Sequence, residues 1–429
     1  MNNKINSVFL DYNSTTPVDE RVLEKMLPYF SVHYGNASSK THAFGWNAEA
    51  AVDRAREQVA TLLNVTPAEI IFTSGATESI NIALRGAAIA YRQKGNHIIT
   101  CKTEHKAVLD TCIDLEKQGM KISYLPVNHE GLIDLDEFQK SITEKTILAA
   151  IMLANNETGV LQAVDDIGKI CKERGILFFS DTTQAFGKVG VDVLEMNADL
   201  ICLSSHKIYG PKGVGALYIR KKNPRVQLKP ILTGGGHEQG LRPGTLNVVG
   251  IVGLGAASEL ALSEQWNDAQ HTSTLRTIFE QQTEKLFGSS INGSIRHRLP
   301  NTTNIRFPGI KASELLKKVP ELAFSTGSAC SSALQEPSHV LKAMGFADDH
   351  SYASANPMAF NTCDGSCTAD EQAEPVLNAN SGTSLRSAEA FMPGNLILVV
   401  LGSRCRMLPL MELPKSFSVH YGSMLGIIP

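Results

Sequence analysis

Between about residues 68 and 220, short runs of apolar and β-branched residues alternate with longer stretches of mixed polarity. Candidate strands are 69–72, 97–101, 121–125, 147–153, 176–180, 200–203 and 215–219, with amphipathic segments such as 107–118 and 167–173 between them. Strands that are apolar throughout and separated by helices predict a mostly parallel sheet covered on both faces. Ligands of such sheets bind beyond the carboxyl ends of the strands. The polar runs 73–79, 103–105, 155–159, 181–184 and 204–207 all fall at such ends. Their convergence on one place is a stronger indication than any of them alone.

Past this region an Ala/Gly/Leu-rich helix is predicted over 248–264, then a turn and strand over 299–308 and a helix over 312–318. We expect an N-terminal arm (1–20), a large domain (21–262), a smaller α+β domain (263–346) and an atypical tail (347–429). At 429 residues the chain has room for this organisation. A net charge of −3 gives no reason to expect nucleic acid or a membrane surface as partner. The apolar run 396–401 is far shorter than the ~20 residues a bilayer requires. No targeting pattern opens the chain, and its eight cysteines form no disulfide framework, so a cytoplasmic setting is expected. Cys363 and Cys367 have a metal-like spacing without a second ligand pair, so no metal is expected.

The chemistry concentrates around Ser204-Ser205-His206-Lys207, which precedes a Gly-Pro turn. A lysine amine can hold an aldehyde cofactor as a Schiff base, and adjacent hydroxyl and imidazole donors suit a phosphate. Such a lysine is equally at home as a solvated turn residue. Asp181 ends a buried strand, where a carboxylate can face a pyridine nitrogen or simply cap a turn. Ser74-Gly75-Ala76-Thr77-Glu78 opens a helix after a strand, as a phosphate site or a capping box does. Asn156 and Gln184 offer amides to a phenolic oxygen. His105 can stack on a ring and move protons, or be a satisfied polar residue at a strand end. The glycine-dense loop running from Gly234 to Thr245 suits an anion or a flexible connection. Cys330 lies among small and hydroxyl residues, a setting for an exposed, reactive thiol, whereas Cys101, Cys112, Cys171 and Cys202 read as structural.

Taken together, the 10–17 segment, Gly35-Asn36-Ala37-Ser38-Ser39, the 73–79 loop, Thr103-Glu104-His105-Lys106, Asn155-Asn156-Glu157-Thr158-Gly159 and the 204–213 run resemble the NifS/IscS-type cysteine desulfurases. The resemblance runs from about Leu10 to Gly345. It implies a fold-type I transferase that uses pyridoxal 5′-phosphate, with a mostly parallel seven-stranded sheet, acting as a homodimer with its site at the interface. Carried onto this chain, Lys207 is the Schiff-base lysine, Asp181 the pyridinium partner and His105 the stacking residue. Asn156 and Gln184 contact the ring oxygen. Ala76, Thr77, Ser204 and His206 bind phosphate, with Thr245 reaching in from the second subunit. Asn36 is expected to bind substrate. L-cysteine would be converted to L-alanine, with sulfur left as a persulfide on Cys330 and handed to an acceptor or iron–sulfur scaffold protein. A selenocysteine lyase-like enzyme is the alternative on the same scaffold.

The resemblance stops near Ala347. The family carries a substrate-carboxylate arginine in the strand that follows, whereas residues 352–362 contain none. The remaining sequence has neither helical nor strand period, as an out-of-frame or replaced terminus would. That departure raises a further alternative, a cofactor-binding chain of impaired catalysis that serves as a dimerisation or sulfur-acceptor partner.

Overall fold

The structure, a computed structural model, describes residues 8–309, 312–325, 338–346 and the backbone of 352–359. Cys330, Cys363, Cys367 and most of the tail lie outside the described residues.

The predicted strands assemble into one seven-stranded sheet. Its order is Ile70–Thr73, Gly215–Ile219, Leu200–Ser204, Leu177–Asp181, Thr146–Ala150, His97–Cys101, Lys121–Leu125. All neighbours run parallel except Gly215–Ile219, which is antiparallel to both strands beside it. Alternate residues feed two separate cores. Phe72, Phe178, Ile201 and Leu203 pack on one face, while Ile71, Phe179, Leu200 and Leu217 pack on the other. Burial on both faces explains why these strands read as continuous apolar runs. The strand predicted over 147–153 ends at Ala150. Beyond it the backbone still bonds to the next strand, Ile151 N to Phe179 O and Leu153 N to Asp181 O, both at 3.0 Å, as the chain bends into the site.

Helices cover both faces, including Ala43–Leu62, Ala76–Ala90, Lys106–Lys117 and Val164–Arg174. The helix predicted over 248–264 is much longer, an unbroken Val248–Phe287 of 40 residues ended by Gly288 in the left-handed conformation (φ 62°). Its first half is legible because Ile251, Leu254, Ala256 and Ala257 are buried. Beyond residue 264 the buried face is Gln265, Thr272, Phe279, Glu280 and Thr283, so polar residues occupy most of the inward positions and erase the apolar period. Arg298 and Arg276 neutralise Glu280 there.

Two smaller sheets complete the fold. Tyr352–Ala359, Thr302–Pro308 and Ser290–Ile291 form an antiparallel sheet, and Val8–Phe9 pairs in parallel with Leu322–Ala323. The N-terminal segment therefore crosses from the small sheet to the ends of the large-sheet strands. No helix among the described residues is long and apolar enough to cross a membrane.

Candidate active site

Lys207 stands three residues past the Leu200–Ser204 strand, in a loop closed at its base by the Ser204–Gly215 strand pair and by Ser205 N bonding Val214 O at 3.1 Å. The N-terminal segment braces this loop. Thr16 N and Oγ1 both donate to His206 O, at 2.9 and 3.1 Å, and Thr16 Oγ1 accepts from Tyr209 N at 2.9 Å. The Lys207 amine donates to two backbone carbonyls of that segment, Asn13 O at 2.5 Å and Ser14 O at 2.7 Å.

The loop opens on a cavity of about 610 Å³. Asp181 closes one side, buried at the end of its strand and accepting from Thr183 N at 2.9 Å. Gln184 lies one turn further on and donates to Asn13 O at 2.8 Å. His105 caps the Lys106–Lys117 helix by accepting from Ala107 N at 3.1 Å. Burial holds its imidazole below the ordinary value; Asp181 opposes that effect, while Lys207 and His339 add to it. The His206 imidazole is pushed down to about 4 by burial and then by the charges of Lys207, Lys212 and Lys188. It is therefore neutral at physiological pH, with Nδ1 3.1 Å from Thr15 Oγ1.

The opposite wall is the start of the Ala76–Ala90 helix. Gly75 precedes it with φ 151° and ψ −177°, a conformation that disfavours any side chain. A Cβ on Gly215 would lie 2.7 Å from Gly75 Cα, so the two backbones pack directly and bring the helix N-terminus beside Ser204. Glu78 secures this turn. Burial alone would raise its carboxyl, but hydrogen bonds from Ser74 N (2.5 Å) and Arg242 Nε (3.1 Å) hold it below its ordinary value.

The cavity thus gathers Ala76, Thr77, His105, Asn156, Asp181, Gln184, Ser204, His206 and Lys207. Asn36 and Thr245 are exposed and outside the residues lining it; Asn36 Oδ1 accepts from Ser38 N at 2.9 Å. Thr183, His339 and the carbonyls of Asn13 and Ser14 belong to the site and were not singled out from sequence. Proximity to Asp181 is a signal for Thr183. Backbone acceptors leave no mark in side-chain pattern, and His339 is a single histidine opening the short His339–Ala343 helix.

The donor set suits an anionic, aldehyde-bearing aromatic cofactor. A helix N-terminus with a hydroxyl and an imidazole could take a phosphate, a buried carboxylate a ring nitrogen, and the lysine amine an aldehyde. Among the described residues no group of three metal-ligating side chains is present.

Fold and site define a fold-type I transferase, and the model of the class-V aminotransferases matches residues 8–354, so the chain belongs to that family. It is 52% identical over 347 residues to a cysteine desulfurase IscS of Neisseria meningitidis serogroup C, an overlap of 81% of this chain and 86% of that protein. Among solved structures, a NifS-like protein is similar with a TM-score of 0.76 and 39% identity, over 82% of this chain and 93% of the other. SspA in complex with cysteine is similar with a TM-score of 0.72 and 37% identity, over 82% and 99%.

Proposed function

We propose that this chain is a pyridoxal-phosphate-dependent cysteine desulfurase that converts L-cysteine to L-alanine and carries the sulfur as a persulfide on Cys330. The observation that carries the reading is the meeting of Lys207, Asp181 and His105 with the Ala76–Ala90 helix N-terminus in one cavity. Similarity to proteins named cysteine desulfurase, and to one solved with cysteine, supports the substrate.

Lys207 would hold the cofactor covalently, Asp181 its ring nitrogen, Asn156 and Gln184 its ring oxygen, and Ala76, Thr77, Ser204 and His206 its phosphate, with His105 against the ring. Bound there, the group supplies an electrophilic carbon and an electron sink for the substrate α-carbon. The Lys207 amine, set between the Asn13 and Ser14 carbonyls, moves the α-proton. A thiolate of Cys330 attacks the substrate sulfur: the S–S bond forms, the Cβ–S bond breaks, and the electron pair leaves with the carbon that becomes the alanine methyl. Asn36 takes part in substrate binding.

The same reading makes the chain a homodimer. Phe30, Val32, Tyr34, Phe44 and Trp46 are all more than half exposed, with Tyr34 and Phe44 ring centroids 5.5 Å apart, an apolar patch suited to a second copy. Thr245, outside its own cavity, would serve the partner's. Free buried thiols at Cys101, Cys112, Cys171 and Cys202 support a reducing, cytoplasmic setting in which sulfur passes to an acceptor or iron–sulfur scaffold protein. One observation favours a second reading, a cofactor-loaded chain of weak turnover: the strand Tyr352–Ala359 and the three residues after it contain no arginine for the substrate carboxylate.

The experiment is release of alanine and sulfide from L-cysteine, with added pyridoxal phosphate and reductant. Equimolar release is expected. Lys207→Ala should lose both the cofactor absorbance and the release, and Cys330→Ala only the release. Cofactor absorbance without release by the unaltered chain would select the second reading.

A further inference from the structure

Of the three imidazoles lining the cavity, those of His105 and His339 hold their protons on opposite terms, and the backbone dictates both. His105 Nδ1 lies 3.1 Å from Ala107 N. A backbone N–H only donates, so Nδ1 accepts and the proton of the neutral ring sits on Nε2. His339 Nε2 lies 2.9 Å from the carbonyl oxygen of Glu104. A carbonyl only accepts, so here Nε2 carries the proton and Nδ1 keeps its lone pair. Neither assignment depends on a side chain whose own proton could move. His105 is thus built as a donor and His339 as an acceptor. Both line the same cavity, and the carbonyl that orients His339 belongs to the peptide bond leading into His105.

We propose that His339 is the base that takes the thiol proton of the amino-acid substrate in this cavity. The proposal rests on the desulfurase reading above. The S–H bond breaks, an N–H bond forms at His339 Nδ1, and the electron pair stays on sulfur, giving a thiolate beside an imidazolium. His105, with its proton on Nε2, serves the donating steps.

The groups around His339 suit this exchange. Ser338, its neighbour, donates to Glu157 Oε2 and caps the His339–Ala343 helix through Val340 N (3.1 Å) and Leu341 N (3.3 Å). That pins the ring's backbone. Glu157 is a countercharge that acts on His339: burial raises its carboxyl, whereas Ser338, His339 and then Lys106 pull it down. The Glu104 carboxyl, in the residue whose carbonyl holds His339, is raised by burial well above its ordinary value. Lys342, on the same helix as His339, is exposed.

The test is the pH dependence of kcat/KM for L-cysteine in the full chain and in His339→Gln. Glutamine can still donate to the Glu104 carbonyl but offers no ring nitrogen as base. A thiol titrating near ~8.5 is about 3% ionised at pH 7, which bounds the loss there at roughly 30-fold. We expect a loss of about tenfold at pH 7 that closes above pH 9, where the thiol ionises unaided. Ser338→Ala loosens the same helix but keeps the imidazole, so its loss should be equal at every pH. A His339→Gln profile parallel to the unaltered one overturns the proposal. Cofactor absorbance and melting temperature report whether the variant folds, and His339→Asn replaces it if it does not. Binding of 3-mercaptopropionate, which has a thiol and a carboxylate but no amine, separates this proposal from the desulfurase reading. About tenfold weaker binding to His339→Gln at pH 7, with equal binding at pH 9.5, supports the base even in a chain that releases no alanine. Equal affinity at both pH values overturns it.

Discussion

The thiol of Cys202 donates a 3.3 Å hydrogen bond to Asp181 Oδ1 from the paired position on the neighbouring parallel strand. The thiol is fully buried, and burial, followed by the Asp181 charge, raises its own ionisation far above the usual range, so it remains a donor throughout the physiological range. With Thr183 N it fixes the carboxylate that would face the cofactor ring. Cys202→Ser should keep this donor and leave cofactor retention unchanged. Cys202→Ala should weaken it about fivefold, since a net hydrogen bond is worth ~1 kcal/mol. A pyridoxal phosphate titration followed by absorbance checks both variants.

Lys188 donates to Gln184 Oε1 at 3.0 Å, behind the cavity. Burial, with a smaller contribution from Lys207, depresses its amine to about 7. An unfolded lysine titrates near ~10.4, so between roughly pH 7 and 10 the unfolded chain binds more protons and stability rises with pH. Lys188→Met should remove that rise. Melting temperatures of the two chains at pH 7 and pH 9.5 measure it: the unaltered protein gains more over this interval than the variant.

Glu238 is buried at the edge of the large sheet, where both carboxylate oxygens accept from Arg56, at 2.7 and 2.9 Å, and one also accepts from Phe72 N at 2.6 Å. The glycine-dense loop leading to Thr245 is moored by this pair. Removing one partner strands the other's charge, which costs ~3–5 kcal/mol. Arg56→Ala should therefore lower the urea midpoint far more than Arg21→Ala, whose bridge to Glu264 is exposed and worth ~1 kcal/mol or less.

Two glycines near Lys207 separate space from conformation. A Cβ at Gly215 would meet Leu203 O at 2.4 Å and Gly75 Cα at 2.7 Å, while one at Gly213 would meet nothing within 4 Å but would occupy φ 78°. Gly215→Ala should displace the 75–77 turn and abolish cofactor loading. Gly213→Ala should cost only ~1–2 kcal/mol of backbone strain and still load. Denaturation midpoints and cofactor absorbance distinguish them.

Much of this architecture is legible in the chain because the central strands are buried on both faces: 97–101 and 215–219 are apolar or β-branched over most of their length and end where expected. Where neighbours rather than side chains decide, the pattern fails. Residues 151–153 leave regular pairing while still apolar, and the helix beyond residue 264 is held by buried Gln265 and Thr272 and by the Glu280 ion pairs. The site divides the same way. Lys207, Asp181 and the 74–78 turn announce themselves by residue type at strand ends. Cys202 and His339 act through partners distant in sequence, at Asp181 and the Glu104 carbonyl in turn, and a lone cysteine or histidine carries no trace of such a partner. In the homodimer proposed above, the exposed Asn36 and Thr245 would meet the second copy of the chain.

The helix Val248–Phe287 reaches ~60 Å at 1.5 Å per residue. Its early turns lie against Ala43–Leu62, so closely that a Cβ on Gly255 would come within 2.7 Å of Ala55 Cα, and its later turns meet Thr302–Pro308 of the small sheet. One unbroken shaft is keyed into both bodies, so swinging one away from the other means bending or melting a helix. On the function proposed above, admission of substrate and delivery of sulfur would then fall to segments the length of a loop, over a frame that this helix locks.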